Sequence, residues 1–167
     1  MKMTVEQFFE LFIEELRDNQ DLQYYYKYLE NPKKFEFRKA YFCQRLQYIA
    51  DNITDPNLKI WDCGCGFGTT ALFLSINGIA SHGTTLEHYI KQIPGRLEYW
   101  KQFGDVSKFT YSYENIFDHT FDANTYDLII IQDTLHHLEP LDEALRILHH
   151  VLSLKGRLLI IEENGNN

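Results

Sequence analysis

Basic residues are few in this chain relative to acidic ones, and the imbalance limits the partners it can have. Lys and Arg total 16 against 24 Asp and Glu, so that the net charge of the 167 residues is -8. Tight binding to a phosphate backbone requires clustered Lys and Arg side chains. We therefore expect no nucleic-acid partner.

Long apolar runs and a secretion signal are missing as well. No apolar stretch approaches the roughly 18 residues that a membrane-spanning helix requires. Glutamates at Glu6, Glu10, Glu14 and Glu15 occupy the segment where a signal peptide would have a basic start and an apolar stretch. These features predict no membrane span and a cytoplasmic location.

Cysteine is scarce, and its placement argues against both disulfides and metal. The three cysteines are Cys43, Cys63 and Cys65. Their number is odd, and Cys63 and Cys65 are too close in the chain to form an ordinary disulfide. Reduced thiols are the simplest interpretation, which agrees with a cytoplasmic protein. A Cys-x-Cys metal site would need two further ligands at workable spacing, so we expect no bound metal.

What the chain does contain is 44% apolar residues, enough for a hydrophobic core. Residues 1–55 have helical spacing, with a capping box at Thr4 and Gln7 and a helix start at Asn31-Pro32. We expect this segment to form an N-terminal helical cap.

Residues 56–167 alternate between apolar strands and amphipathic helices, which predicts a Rossmann-like α/β domain. The alternation favours a doubly wound, mostly parallel sheet of about five strands. We expect a helix interruption at Pro94-Gly95 and a turn at Lys155-Gly156 before the last strand. The predicted strands are Leu58–Cys63, Ile79–Leu86, Lys108–Tyr113, Tyr126–Gln132 and Arg157–Glu162.

The end of the first predicted strand carries an acid followed by three alternate glycines. Asp62 precedes Gly64, Gly66 and Gly68, and a helix-like stretch begins at Thr69. Glycine allows positive φ and close approach of a ligand, and the N–H groups of the next helix face that turn. A carboxylate at this position would repel a pyrophosphate and suits a ligand that carries positive charge.

This order of apolar strand, acid and G-x-G-x-G resembles the first motif of the class I S-adenosylmethionine-dependent methyltransferases, of the small-molecule type. The resemblance extends over residues 58–163 and implies that S-adenosyl-L-methionine is the methyl donor. It also implies that Asp62 and the loop backbone hold the methionine part of the donor. The loop residues so implicated are Gly64, Cys65, Gly66, Phe67 and Gly68.

The same resemblance implies donor contacts after the next two strands. The position at which this family usually has an acid for the ribose hydroxyls falls on Thr85, while Glu87 lies two residues farther on, so both stay candidates. Asn115 is the candidate for the adenine amino group, with Glu114 as the alternative. Ile116 and Phe117 would contact the purine face.

Residues after the fourth predicted strand resemble the fourth motif of these enzymes and the histidine-containing segment behind it. Gln132 and Asp133 would contact the donor. His136 or His137 would take a proton from the acceptor, since histidine titrates near neutral pH. Alternatively, alignment of an activated donor would be sufficient without a general base. Adjacent histidines point in different directions, so at most one should face the donor.

Aromatic residues crowd the segment 24–42. In this family the N-terminal helices often cover the active site, and an aromatic pocket suits a small organic acceptor. Packing among the helices is the alternative for each side chain. The cluster comprises Tyr24, Tyr25, Tyr26, Tyr28, Phe35, Phe37, Tyr41 and Phe42.

The sequence stops after the fifth predicted strand, whereas these methyltransferases continue with another helix and two strands. The fifth strand would then be an uncovered apolar edge, which favours pairing with another chain. We expect either a C-terminally truncated piece of a longer protein or a homodimer formed through that edge.

Two other functions remain open. Residues 66–71 match the loose G-x-G-x-x-A pattern of nicotinamide-dependent oxidoreductases. The absence of the ribose acid and of the last strands is compatible with a non-catalytic S-adenosylmethionine-binding or scaffold module.

Overall fold

A computed structural model describes residues 2–162 of the chain, which divides into two compact units, residues 1–52 and 53–167. Residues 163–167 of the predicted 56–167 domain lie outside the described residues. A helix with both the length and the apolar character of a membrane span does not occur within residues 2–162.

The first unit contains three helices whose beginnings follow from local capping. Thr4 Oγ1 accepts from the N–H of Gln7, and Gln7 Oε1 accepts from the N–H of Thr4, which confirms the capping box. Asn31 caps the third helix, with Pro32 at its start. The helices are α1 (Val5–Asp18), α2 (Gln20–Tyr26) and α3 (Pro32–Asp51).

Aromatic rings form the interior of this first unit. Phe12 and Phe42 stack with their centroids 5.4 Å apart, and Tyr26 meets Phe12 edge-on at 4.9 Å. Tyr28 stacks on Tyr26, and burial raises the pKa of its phenol well above the usual value. Such contacts bury large apolar areas and hold the three helices together.

The second unit is a five-stranded sheet flanked by helices within the described residues. Its strands are β1 (Ile60–Cys63), β2 (Ser81–Thr85), β3 (Phe109–Tyr113), β4 (Tyr126–Gln132) and β5 (Leu152–Ile161). Its helices are α4 (Thr69–Ile76), α5 (Glu87–Ile90), α6 (Ile93–Trp100) and α7 (Leu141–Val151), with a 3₁₀ turn at Leu135–His137.

The strands lie in the order β3-β2-β1-β4-β5, and every pair is parallel. This arrangement confirms the doubly wound, Rossmann-like architecture that the alternating pattern predicts. The chain builds outward from β1 through β2 to β3 and then returns to β4 on the other side of β1. The topological switch point therefore lies between β1 and β4.

The apolar run of β4 lies in the interior of the sheet, between β1 and β5, and is buried on both faces. Ile129, Ile130 and Ile131 are all 0% exposed. On one face, Ile129 and Ile131 belong to a cluster with Trp61 of β1 and Leu148 of α7. This burial explains why β4 has no alternation of apolar and polar residues.

Two local features differ from the prediction. The helical segment after β2 breaks ahead of Pro94, which lies in the first turn of α6, because proline is accepted there. Helix α7 passes directly into β5, which pairs with β4 at Leu152 and again from Arg157. Residues 153–156 therefore bulge opposite a single residue of β4, so the predicted turn at Gly156 is an irregularity within the strand.

Candidate functional site

The loop after β1 lies at the carboxyl ends of the central strands, where doubly wound sheets bind ligands. Gly64, Gly66 and Gly68 have positive φ values of 81°, 53° and 76°. A residue with a side chain is strained in this conformation, so glycine suits each position. The carbonyl oxygen of Thr84 in β2 holds the loop by accepting from the N–H groups of Gly64 and Cys65 at 3.0 and 2.9 Å.

The surroundings of the three glycines differ, and the difference locates the open side of the loop. A Cβ at Gly64 would overlap the side chain of Thr134, and one at Gly68 would overlap the ring of Phe109. A Cβ at Gly66 would meet no atom within 4 Å. Gly66 therefore presents bare backbone to open space, where a ligand can approach it closely.

Nothing in the sequence pattern indicates Arg96 of α6, yet this residue holds the end of the loop. Its side chain is 1% exposed, and Nη1 donates to the Phe67 carbonyl at 2.8 Å and to Thr69 Oγ1 at 2.7 Å. Hydrogen bonds from a charged donor are roughly twice as strong as neutral ones. Arg96 therefore joins α6 both to the glycine loop and to the first residue of α4.

Asp62 is the acid near the tip of β1, and one of its carboxyl oxygens is buried without a hydrogen bond from any described residue. The residue is 3% exposed, and Oδ2 has no hydrogen-bond partner among the described residues. Burial raises the pKa of the carboxyl from 3.8 to about 7. A buried carboxyl with an unbonded acceptor oxygen is the arrangement expected of a site for a cationic ligand group.

Two side chains of the loop are used for packing. Phe67 is 3% exposed, and its ring meets that of Tyr89 in α5 edge-on at 4.9 Å. The sulfur of Cys65 lies next to Gly83 of β2, and burial raises the pKa of this thiol well above its usual value. Phe67 and Cys65 therefore offer a ligand mainly their backbone atoms.

The two ribose candidates lie in different surroundings. Thr85 ends β2 and is 4% exposed. Glu87 is exposed in the first turn of α5 and forms an ion pair with Lys91 at 2.8 Å. The hydrogen bond from Lys91 and its positive charge lower the pKa of the Glu87 carboxyl. Thr85 thus occupies the strand tip, whereas Glu87 lies on a helix surface.

The loop after β3 contains one exposed and one buried candidate. Asn115 is exposed and stabilises its own loop, since Nδ2 donates to Asp118 Oδ2 at 2.9 Å and Oδ1 accepts from the N–H of Phe117 at 3.1 Å. Ile116 is 6% exposed and belongs to the apolar cluster around Trp61. Only a small part of the Ile116 side chain is therefore accessible to a purine.

The loop after β4 is tied to the glycine loop. Thr134 Oγ1 donates to the carbonyl oxygen of Gln132 at 2.9 Å and lies 3.3 Å from that of Gly64. Asp133 has a positive φ of 49° and donates its N–H to the carbonyl of Ile161 in β5 at 2.9 Å. The structure therefore brings Gln132 and Asp133 to the same edge of the sheet as the glycine loop.

The two candidate histidines lie in the 3₁₀ turn that follows. Both are exposed, and the ring centroids of His136 and His137 are 3.9 Å apart, so the two rings lie together and the expectation that they point in different directions is wrong. His136 Nδ1 lies 2.7 Å from Oε2 of Glu162, the residue that follows β5. The other carboxylate oxygen of Glu162 accepts from the N–H groups of Thr134 and Leu135 at 3.0 and 2.7 Å. The sequence identifies Glu162 only as the last residue of a predicted strand.

Several residues of the aromatic cluster in the first unit serve to pack its helices. Ring contacts within that unit involve Tyr26, Tyr28, Phe35 and Phe42. In contrast, Tyr24, Tyr25 and Phe37 expose half or more of their surface. The packing alternative therefore accounts for part of the cluster, and exposed rings remain.

Several solved structures are similar to this chain in fold. A candidate sarcosine dimethylglycine methyltransferase from Galdieria sulphuraria has a TM-score of 0.63 and 22% identity, covering 74% of this chain and 48% of that one. Phosphoethanolamine N-methyltransferase 2 from Haemonchus contortus, in complex with S-adenosyl-L-methionine, has a TM-score of 0.60 and 21% identity, covering 70% and 27%. The [4+2]-cyclase SpnF has a TM-score of 0.62 and 20% identity, covering 70% and 43%. The chain spans less than half the length of each.

Sequence comparison gives the family. No curated protein matches the chain significantly. The sequence profile of a family described as methyltransferase domain matches residues 61–160, more than half of the chain. The match begins within β1, includes the glycine loop and the 3₁₀ turn, and ends within β5. This chain therefore belongs to that methyltransferase domain family.

Proposed function

We propose that this protein is an S-adenosylmethionine-dependent methyltransferase that transfers a methyl group directly to a small-molecule acceptor. The observation that carries the proposal is Asp62, a buried carboxyl with an unbonded oxygen next to a loop of three positive-φ glycines. Membership of a methyltransferase domain family supports the reaction class. The S-adenosyl-L-methionine bound by the Haemonchus contortus enzyme supports the identity of the donor.

The raised pKa of Asp62 reflects what it costs to ionise the carboxyl at this buried position. The shift from 3.8 to about 7 corresponds to a preference for the protonated carboxyl on the order of 4 kcal/mol. A positive group beside the ionised carboxylate would offset this cost of burial. S-adenosylmethionine has two such groups, an α-ammonium and a sulfonium, whereas a pyrophosphate would add repulsion. Asp62 therefore also argues against the nicotinamide-dependent alternative.

The other donor contacts would follow the strand tips. We assign the methionine part to the backbone of residues 64–68, where Gly66 is open. Thr85 is the better candidate for a ribose hydroxyl, because Glu87 is exposed and paired with Lys91. We assign adenine binding to the loop that contains Asn115 and Ile116, which follows β3, the neighbour of β2 in the sheet. Gln132 and Asp133 would line the same crevice from β4.

Bound S-adenosylmethionine would supply a methyl group on its sulfonium sulfur, which the acceptor could take in one step, with S-adenosylhomocysteine as the leaving group. The residues of this chain would align the acceptor, exclude water and receive any proton that the acceptor loses. His136 and His137 are the candidates for that proton.

Calorimetric titration with S-adenosylmethionine and S-adenosylhomocysteine tests donor binding. We expect Asp62→Asn, which keeps the shape but removes the charge, to lower the affinity by about 10- to 100-fold, as for a lost charged hydrogen bond. Asp122→Asn is the matched control, because it makes the same substitution at an exposed residue between β3 and β4 that is not among the donor-binding candidates. This variant should bind both ligands like the wild type. Equal affinities for the wild type and Asp62→Asn would contradict the proposed site.

A binding module without methyl transfer is the second candidate. SpnF is described as a cyclase, so a similar fold does not require methyl transfer as its reaction. The replacement of the expected ribose acid by Thr85 also favours this candidate. Tight binding of S-adenosylhomocysteine without turnover of any member of a broad panel of alcohols, amines, thiols and carbon acids would support it over the first proposal.

Pairing of two copies through β5 is a further proposal. β5 is an edge strand of the described sheet, and Ile160 and Leu154 are 42% and 98% exposed. An apolar edge strand favours pairing with another strand. Sedimentation velocity should show a dimer that Ile160→Lys dissociates. A wild type that stays monomeric at high concentration would contradict the proposal.

A further inference from the structure

The carboxylate of Glu162 connects the end of β5 to the turn that carries the two candidate histidines. Oε1 accepts from the backbone N–H groups of Thr134 and Leu135, at 3.0 and 2.7 Å. Oε2 lies 2.7 Å from Nδ1 of His136. One side chain therefore holds both the backbone entering the turn and the imidazole that projects from it.

The charge state of Glu162 determines which nitrogen of His136 carries the proton. Burial alone would raise the pKa of the Glu162 carboxyl, but its hydrogen bonds with His136, Leu135 and Thr134 outweigh that effect and lower it. The carboxylate is therefore ionised at neutral pH and can only accept hydrogen bonds. Nδ1 of His136 must then be the donor, so that the neutral ring has its lone pair on Nε2.

We propose that Glu162 is a positioning residue that holds His136 in the Nδ1–H tautomer, with Nε2 ready to accept a proton from the methyl acceptor. The inference rests on the proposed methyltransferase function and selects between the two adjacent histidines. His137 is in ring contact with His136, but the carboxylate contact is made by His136. Among the described residues, Glu162 and His137 are the titratable groups in contact with His136.

The location of His136 agrees with this role. The hydroxyl oxygen of Thr134, two residues before His136, lies 3.3 Å from the carbonyl oxygen of Gly64. The turn that carries His136 therefore adjoins the glycine loop. In the proposed step, the acceptor atom forms a bond to the methyl carbon while the carbon–sulfur bond breaks and its electron pair stays on sulfur. The proton of the acceptor passes to Nε2 of His136, and the resulting imidazolium is stabilised by the Glu162 carboxylate and later loses its proton to water.

Glu162→Gln is the sharpest test because it alters the chemistry of one contact and preserves the others. The amide oxygen can still accept from the N–H groups of Thr134 and Leu135, while the NH₂ group faces Nδ1 of His136. Nδ1 must then accept, which moves the ring proton to Nε2 and blocks proton uptake there. We expect kcat to fall by about 100-fold or more, with unchanged affinity for S-adenosylhomocysteine.

Two further variants distinguish positioning from a merely structural role. His136→Asn should lose a similar factor in kcat, and the double variant with Glu162→Gln should lose little more, because both changes remove the same function. Glu143→Gln, the same substitution at an exposed position of α7, is the control for the loss of one acidic charge.

Nitrogen NMR of the histidine rings tests the inference without any acceptor. In the free wild-type protein above pH 7, His136 should show the Nδ1–H tautomer, and in Glu162→Gln the Nε2–H tautomer. A wild-type His136 in the Nε2–H form, or a Glu162→Gln variant with wild-type kcat, would overturn the inference. Failure of the proposed function would appear separately, as a wild-type protein that does not bind S-adenosylmethionine.

Discussion

Arg96 donates from Nη1 to the carbonyl oxygen of Phe67 at 2.8 Å, although the two residues are 29 positions apart in the chain. The same nitrogen donates to Thr69 Oγ1, the first residue of α4. This guanidinium is therefore placed where the glycine loop ends and the next helix begins. The conformation of the loop depends on a side chain from a different helix.

Removal of this guanidinium should loosen the loop. We predict that Arg96→Met lowers the free energy of unfolding by about 2–3 kcal/mol, because it removes hydrogen bonds from a buried charged donor. Affinity for S-adenosylhomocysteine should fall as well, since the loop loses support. Urea unfolding and calorimetry measure the two effects. Arg146→Met, at an exposed position of α7, is the control, and equal losses in both variants would contradict the role of Arg96.

Gly66 and Gly78 form a matched pair for testing where the ligand lies. Both have positive φ, of 53° and 85°, and a Cβ at either would meet no atom within 4 Å. Alanine at either position should therefore lower the free energy of unfolding by a similar amount, about 1–2 kcal/mol. Only Gly66→Ala should also weaken S-adenosylhomocysteine binding. If both variants bind like the wild type, the ligand does not lie against Gly66.

The buried carboxyl of Asp62 should make the stability of the ligand-free protein depend on pH. Its pKa is about 7 in the folded protein and near 3.8 when unfolded, so the folded state binds more protons between these values. The free energy of unfolding should therefore fall as pH rises through this window, by about 2–3 kcal/mol between pH 5 and pH 8. Asp62→Asn should lack this component. Parallel pH profiles for the two proteins in urea unfolding would contradict the assignment.

Thr85 and Glu87 can be separated as ribose contacts by two small substitutions. Thr85→Val keeps the shape of a buried side chain but removes its hydroxyl, and we expect it to weaken S-adenosylhomocysteine binding by about 2- to 10-fold. Glu87→Gln should have little effect on binding, because that side chain is exposed and paired with Lys91. The reverse order of affinities would show that Glu87 is the ribose contact.

Local patterns were sufficient for the architecture because their causes are local. The capping box at Thr4 follows from two residues three positions apart, and the buried strand 126–132 follows from its own apolar run. The bulge at 153–156 was not predictable, since Lys155-Gly156 has the composition of a turn and only pairing with β4 extends the strand through it.

Periodicity and the positive φ of glycine depend on neighbouring residues, so the parallel sheet and the acid-and-glycine loop follow from local sequence alone. The contacts of Arg96 with this loop and of Glu162 with His136 arise only in the folded chain, since each pair is separated by more than 25 positions. Parallel strands bring the segments that follow them to one edge of the sheet, and this brings such distant partners together. The fold also directs Glu87 to solvent from the first turn of α5.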